Sequence, residues 1–474
     1  MNLADRLRSV VRPHEPAKAG PHDQAAKAGP HEDVGGVDAV DSRGGRLPPS
    51  RNATADHHSL GGGGQAAHDP ASILDGEWRD ADGQRFLVID RRYAPGYRHG
   101  RCAVVDSAPD GDDCWPSLAM LEPPLASGRL LFLDLETTGL AGGAGTYAFL
   151  VGCGWFERGG FRVRQYLLTG FGAERALLQD VAQFVSEAGG LGTYNGKTFD
   201  LPLMETRFLL HRMGVTFAGM PHVDMLHPAR RLWKDAGSAE RWSESSAEPG
   251  PRTDIGSCRL TTLERTLLGH VREGDVPGFE IPGRYFHFVR TGDARPLAGV
   301  LEHNRLDILS LALVTARLAH LLAEGAAAAG TGREALGLGR MFERAGMTGA
   351  ASSCYDAAVM LGEDSETIGE ALRAAAIVLR RARRYEEAAG TWRRILDLRP
   401  CPPVLAREAV EALAVHHEHR ARELDTARRF ALESLSLTTN DSRMQAARHR
   451  LARLDRKLGV SAPRTEPPDL APLF

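Results

Sequence analysis

Two carboxylates, Asp134 and Glu136, stand one residue apart inside the apolar run LLFLDLETTGL. Residues i and i+2 of a β-strand project from the same face. The pattern therefore predicts two acids side by side on a strand otherwise made of Leu131, Phe132, Leu133 and Leu135. Like charges that close repel and raise each other's pKa, and burying either one unpaired is costly. A divalent cation held by both offsets the penalty, and hard carboxylate oxygens suit magnesium or manganese. Taken alone, D-x-E could also be an edge strand carrying two solvated acids.

Two further segments supply matching groups. YNGKTFDLPLMETRF places Asn195, Phe199 and Asp200 at a strand-to-helix transition. The free amides and dipole of a helix start favour a carboxylate there, so Asp200 also fits a plain helix cap. LEHNRLDILSLALVTARL reads as a helix packed through Leu306, Ile308, Leu309, Leu311 and Leu313. His303 and Asp307, spaced i and i+4, share a face one turn apart. An ordinary surface ion pair has the same spacing. An imidazole titrating near pH ~6.5 suits general-base work.

The elements that must position these groups alternate in type. RLLFLDL, TYAFLVGCGWF and FRVRQYLL read as strands, and ERALLQDVAQFVSEA as a helix with Ala176, Leu177, Val181, Phe184 and Val185 on one stripe. GLGTYNG reads as another strand end, and LPLMETRFLLHRMG as a helix ending at Gly214. The result is an α/β domain over 126–325 whose sheet begins as an antiparallel meander. It is interrupted by a polar stretch at 234–257 that reads as a flexible surface insertion. Residues 1–70, with PHEPAKAG, PHDQAAKAG, PHED and a run of glycines, cannot bury a core and read as a disordered tail. Residues 71–125, with RFLVIDRRY and RCAVVDS, read as a small β-rich lead-in.

Residues 331–460 are rich in Ala, Arg, Leu and Glu and read as helical, with a tail at 461–474. Ala350, Ala388 and Ala427 align as copies 38 and 39 residues apart, with Cys354, Trp392 and Ala431 four residues on. Pro400 follows the clearest copy. Small residue, large residue and terminal proline are similar to the tetratricopeptide pattern, although its usual period is ~34.

D-x-E, N-x-x-x-F-D and H-x-x-x-D occur in that order across Leu130–Ala323. On FLDLETTGL, YNGKTFDLP and HNRLDILSL the chain resembles the ribonuclease-H-like DEDD 3′-5′ exonucleases. Among them it is similar to the bacterial YprB-type subfamily, which joins such a domain to tetratricopeptide-like repeats. The resemblance implies an α/β ribonuclease-H-like fold, a mixed sheet flanked by helices, with a C-terminal all-α helical-repeat domain. It implies two divalent cations, Mg²⁺ or Mn²⁺, one held by Asp134, Glu136 and Asp307, the other by Asp134 and Asp200. It makes His303 the general base, and Thr137, Gly139, Asn195 and Phe199 contacts to the substrate, single-stranded DNA or RNA. One departure stands out: a histidine occupies the spacing at which this superfamily usually carries tyrosine.

Other readings narrow the field. Net charge is −3, so no global basic field advertises nucleic acid. The six cysteines form no C-x-x-C pair, which favours a reducing, cytoplasmic compartment. No apolar run reads as a membrane span of ~20 residues, and MNLADRLRSVVRP has no signal-peptide core. NGKTF ends like a phosphate loop but has Leu191 where that loop needs glycine. GLAGGAGT joins two strands, so it reads as a hairpin rather than a dinucleotide fingerprint. His222, Asp224 and His227 offer zinc donors without a fourth ligand; Asp224 reads instead as a strand end beside the cleft. Two alternatives to an exonuclease stay open. One is a non-catalytic nucleic-acid-binding or scaffold protein using its helical repeats to hold a protein partner. The other is a structure-specific endonuclease.

Overall fold

The continuous apolar run of β5 (Leu130–Thr137) places it inside a mixed sheet, since both of its faces are covered. The computed structural model describes residues 69–81, 83–104, 116–122, 129–139, 145–214, 217, 219–234, 258–438 and 440–460. Of the tail expected at 1–70, residues 1–68 lie outside the described residues, as do 235–257 of the insertion expected at 234–257 and the tail at 461–474; Pro70 already begins a short helix.

Seven of the nine described strands form the main sheet: β1 (Glu77–Ala81), β2 (Gln84–Tyr93), β5, β6 (Ala148–Glu157), β7 (Gly160–Leu167), β8 (Gly190–Thr193) and β9 (His222–Asp224). Their order is β1-β2-β7-β6-β5-β8-β9. Pairing is antiparallel from β1 to β5 and parallel from β5 through β8 to β9. Two short strands, β3 (Arg98–His99) and β4 (Cys102–Ala103), make a separate hairpin. The segment expected to be a separate lead-in thus extends the same sheet. Leu87 to Tyr93 of β2 pairs with Leu167 to Phe161 of β7, because FLVI at 86–89 needs both faces covered.

The helices sort onto the two faces. One face packs Leu131, Leu133 and Leu135 against α2 (Glu174–Ser186), α3 (Asp200–Leu210), α6 (Ile281–Thr291) and the start of α7 (Leu297–Glu324). A short α1 (Pro70–Leu74) joins that core through Leu74. The other face packs Leu130, Phe132, Phe161 and Val163 against α4 (Leu226–Leu232), α5 (Leu260–Leu263) and the rest of α7.

That second core runs on into the first C-terminal helices, α8 (Gly332–Arg344), α9 (Thr348–Leu361) and α10 (Ser365–Arg381), while α11 (Tyr385–Leu396) and α12 (Pro403–His416) pack a third cluster with α10, and α13 (Leu424–Ser436) and α14 (Asp441–Leu458) a small fourth. Glu334 of α8 ties the join: its Oε1 accepts from Trp233 Nε1 at 2.9 Å and its Oε2 from Arg317 Nη2 at 2.6 Å. Among the described residues α7 is the one helix long and apolar enough to cross a membrane, with mean hydropathy 1.7 over its most apolar window. Asp307, Arg317 and Glu324 interrupt this run, so no unbroken apolar stretch of ~20 residues shows in the sequence. In the structure 72% of that window is buried inside the protein, as a core helix requires.

Candidate active site

Alternation places Asp134 and Glu136 on the same side of β5 as Leu130 and Phe132, at its C-terminal end. The parallel partner β8 stops pairing at Phe132–Gly192. β8 then turns at Asn195, which takes a left-handed φ of 68° and accepts from the amides of Thr198 and Phe199. The gap between the diverging strands is a cleft at the carboxyl ends of parallel strands, where open α/β sheets bind ligands. Asp224 on β9 holds this turn: its Oδ1 accepts from the amides of Asn195 at 2.8 Å and Leu226 at 3.0 Å, and its Oδ2 from that of Lys197 at 3.0 Å. With both oxygens engaged by backbone, and His222 Nε2 against Thr193 Oγ1 at 2.7 Å, Asp224 and His222 support the turn, while His227 is exposed on α4.

α7 crosses the sheet over β6 and supplies the rest of the cleft. The crossing is close because β6 carries glycine opposite the acids. Gly152 pairs with Asp134, and a Cβ there would lie 2.2 Å from Asn304 Oδ1. Gly154, two residues on, would put a Cβ 2.3 Å from Ile308 Cγ2. Buried Asn304 donates from Nδ2 to Asp134 Oδ2 at 2.8 Å. Its own Oδ1 accepts from Gln165 Nε2 on β7 at 2.8 Å, and that nitrogen also reaches Leu301 O at 2.8 Å. Asn304 and Gln165 were not singled out from sequence. The available signal was glycine at alternate strand positions, which marks close backbone approach.

Three turns of chain before α6 add what the motifs lacked. Arg272 donates from Nη2 to Asp307 Oδ1 at 2.5 Å, from Nε to Glu264 Oε2 at 2.8 Å and from Nη1 to Asp275 Oδ2 at 3.3 Å. His303 Nδ1 lies 2.7 Å from Asp275 Oδ1, and its Nε2 3.4 Å from Asp307 Oδ2. No motif announced Arg272 or Asp275, because both sit in an irregular segment.

The electrostatics report the convergence of the four acids. Burial, then the charges of Asp307, Glu136 and Asp200, push Asp134 well above the usual carboxylate range. Burial, then Asp307 and Asp200, do the same to Glu136. Burial lifts Asp200 to about 7, and Asp224 adds to it. Burial also raises Asp307, although Arg272 and His303 pull against it. Asp275 goes the other way: burial alone would raise it, but His303 and Arg272 hold it below the ordinary range.

The remaining expected residues line the rim. Asp200 is the first residue of α3 and Phe199 precedes it, 52% exposed. Thr137 Oγ1 donates to Gly139 O at 3.0 Å, and the next residue's Oγ1 accepts from the Tyr147 amide at 2.9 Å. The strand pair β5–β6 brackets GLAGGAGT as expected, with 140–144 outside the described residues. Glu136, His303 and Asp307 offer ligand atoms within 4.8 Å of one another. Acids that repel one another and carry hard oxygen donors fit divalent cations of the magnesium or manganese kind.

A family model described as the RNase_H superfamily matches residues 131–319. The chain is also similar to the uncharacterized protein YprB of Bacillus subtilis (strain 168). Identity is 32% over 380 residues, covering 78% of this chain and 86% of that protein.

Proposed function

Because this chain belongs to the RNase_H superfamily, as a YprB-type protein, we propose that it is a metal-dependent 3′→5′ exonuclease acting on single-stranded DNA or RNA. Membership in that superfamily points to a nuclease. The finer reading rests on one observation: Asp134, Glu136, Asp200 and Asp307 face each other beside His303 at the open end of β5.

Two divalent cations, magnesium or manganese, would be held by Asp134, Glu136 and Asp307 and by Asp134 with Asp200. When bound, such ions supply Lewis acidity to the attacking water and to the leaving 3′-oxygen. The protein's own groups do the rest. Asn304 fixes the Asp134 carboxylate through one oxygen, leaving the other toward the cleft. Asp275 accepts a proton-bearing Nδ1 of His303, which leaves Nε2 free to take a proton from water. Phe199, exposed at the rim, offers a ring for a base or sugar to stack on. Asn195, Thr137 and the Gly139 backbone offer polar contacts to the terminal nucleotide.

The C-terminal helices we read as tetratricopeptide-like hairpins that present a surface to a protein partner. Ala388 and Ala427 are buried at the fourth residue of α11 and of α13, and Ala350 is the third of α9. Trp392, Arg373, Arg380, His416 and Arg450 line a cavity of about 900 Å³ between these helices.

The test uses linear oligonucleotides of DNA and RNA labelled at the 5′ end, and circular ones labelled internally, with Mn²⁺ or Mg²⁺. An exonuclease of this polarity gives a ladder shortening from the 3′ end, releases nucleoside monophosphates and leaves circles intact. Cleavage of circles would replace this reading with an endonuclease.

A further inference from the structure

A second group of metal-binding residues lies outside the carboxylate cleft. His99 on β3, Glu264 in the π-helical turn Glu264–Leu268, and His270 just after it offer donor atoms within 4.8 Å of one another. His99 and Glu264 are buried, and His270 is partly open to solvent. The two imidazoles stack with centroids 4.1 Å apart and planes 28° apart.

The distances identify what these groups are set to hold. Glu264 Oε1 lies 3.4 Å from His99 Nε2 and 3.5 Å from His270 Nε2. Those separations exceed the ~2.9 Å typical of an N–H···O hydrogen bond. They match the edge of a tetrahedron whose corners sit ~2.0–2.1 Å from a central zinc, which is about 3.3–3.4 Å. Oε1 has no hydrogen-bond partner among the described residues, although the Glu264 side chain is only 1% exposed. A buried carboxylate oxygen without a donor is costly, and an ion between the three side chains would satisfy it. Ser310 Oγ on α7 lies at hydrogen-bond distance, 2.8 Å, from the same His99 Nε2, so an ion held by that nitrogen takes the place of this bond.

We propose that His99, Glu264 and His270 form a binding site for one zinc-class divalent ion, separate from the magnesium- or manganese-type cleft. Two imidazoles and one carboxylate oxygen select a borderline-soft ion over magnesium, which prefers oxygen ligands. The ion ties the β3–β4 hairpin to the π-helical turn and the residue that follows it. It also bears on the cleft. Glu264 keeps its other oxygen for Arg272, whose guanidinium reaches Asp307. An ion on Oε1 therefore fixes the carboxylate that positions Arg272.

The experiment uses full-length protein carrying Asp134→Asn, Glu136→Gln and His303→Gln, which removes two of the three ligand groups of the cleft cluster Glu136–His303–Asp307 as well as Asp134, so that zinc in the carboxylate cleft does not contribute. The protein is loaded with Zn²⁺, dialysed exhaustively and assayed for zinc per chain, and the bound ion is examined by X-ray absorption. The proposal expects one retained ion with two imidazoles and at least one oxygen in its shell. Adding His270→Gln, or separately Glu264→Gln, removes it while the circular-dichroism spectrum stays that of the parent. A shell without imidazole, no retained zinc, or full retention in His270→Gln overturns the proposal. The cluster is then a histidine–carboxylate ion pair.

Discussion

Asp134, Glu136 and Asp200 hold their protons more tightly than ordinary acids, because burial and mutual repulsion both penalise the charged form. The sign of the consequence is definite. A folded-state pKa of about 7 for Asp200 lies above the ~3.9 of an unfolded aspartate. The folded chain therefore binds more protons across that window, and metal-free stability falls as pH rises through it. Asp200→Asn removes this term. In EDTA its Tm advantage over the parent should be small near pH ~5 and larger near pH ~8. An advantage that shrinks with pH would contradict the assignment. Divalent cations compete with the same protons, so apparent Mn²⁺ affinity, followed by titration calorimetry, should tighten as pH rises over that range. Asn304→Ala takes the donor from Asp134 Oδ2 and the acceptor from Gln165. It should cost about 1–3 kcal/mol in urea unfolding and lower activity further than that stability loss explains. The five residues expected to do chemistry were legible because strand and helix periodicities are local rules. Asn304, Gln165, Arg272 and Asp275 were not, because each acts through a partner on a different element.

The site depends on α7 lying close over β6 at the level of Gly152 and Gly154. Gly152→Ala drives a methyl into Asn304 and Ile308. Overpacking of this kind costs about 1–3 kcal/mol, and here it also breaks the Asn304–Asp134 hydrogen bond. Denaturant melts and Mn²⁺-dependent activity should both drop. Activity kept at the parental level would show that the close crossing does not serve the cleft. The strands β5 to β7 and the helices over 174–186 and 200–210 were readable from pattern. The sheet partners of β2 were not, because strand pairing between distant segments leaves no local mark. α5, its π-helical turn and α6 escaped notice for a different reason: their apolar positions are too few and too broken to show a period.

At the level of the molecule, one core serves the sheet and the first C-terminal helices together. Leu318, Leu321 and Leu322 of α7 share it with Leu338, Met341 and Phe342 of α8 and with Tyr355 of α9. A chain cut after residue 325 would expose that surface. It should aggregate or lose its cooperative melt, as read by size-exclusion chromatography and circular dichroism; a monomeric, cooperatively folded fragment would show that the helices are dispensable to the core. The sequence resemblance and the structure agree on a ribonuclease-H-like sheet followed by helices, since both follow from the order of the elements. The depth of the join was hidden, because faces buried between two regions look the same in sequence as faces buried within one. The central claim is that the four acids make this fold a nuclease. Its most direct test is Mn²⁺-dependent shortening of 5′-labelled single strands by the parent and by Asp134→Asn, with both proteins folded. The account predicts shortening by the parent that stops on adding EDTA and is absent in Asp134→Asn. Shortening that survives EDTA, or that persists undiminished in the variant, would contradict it.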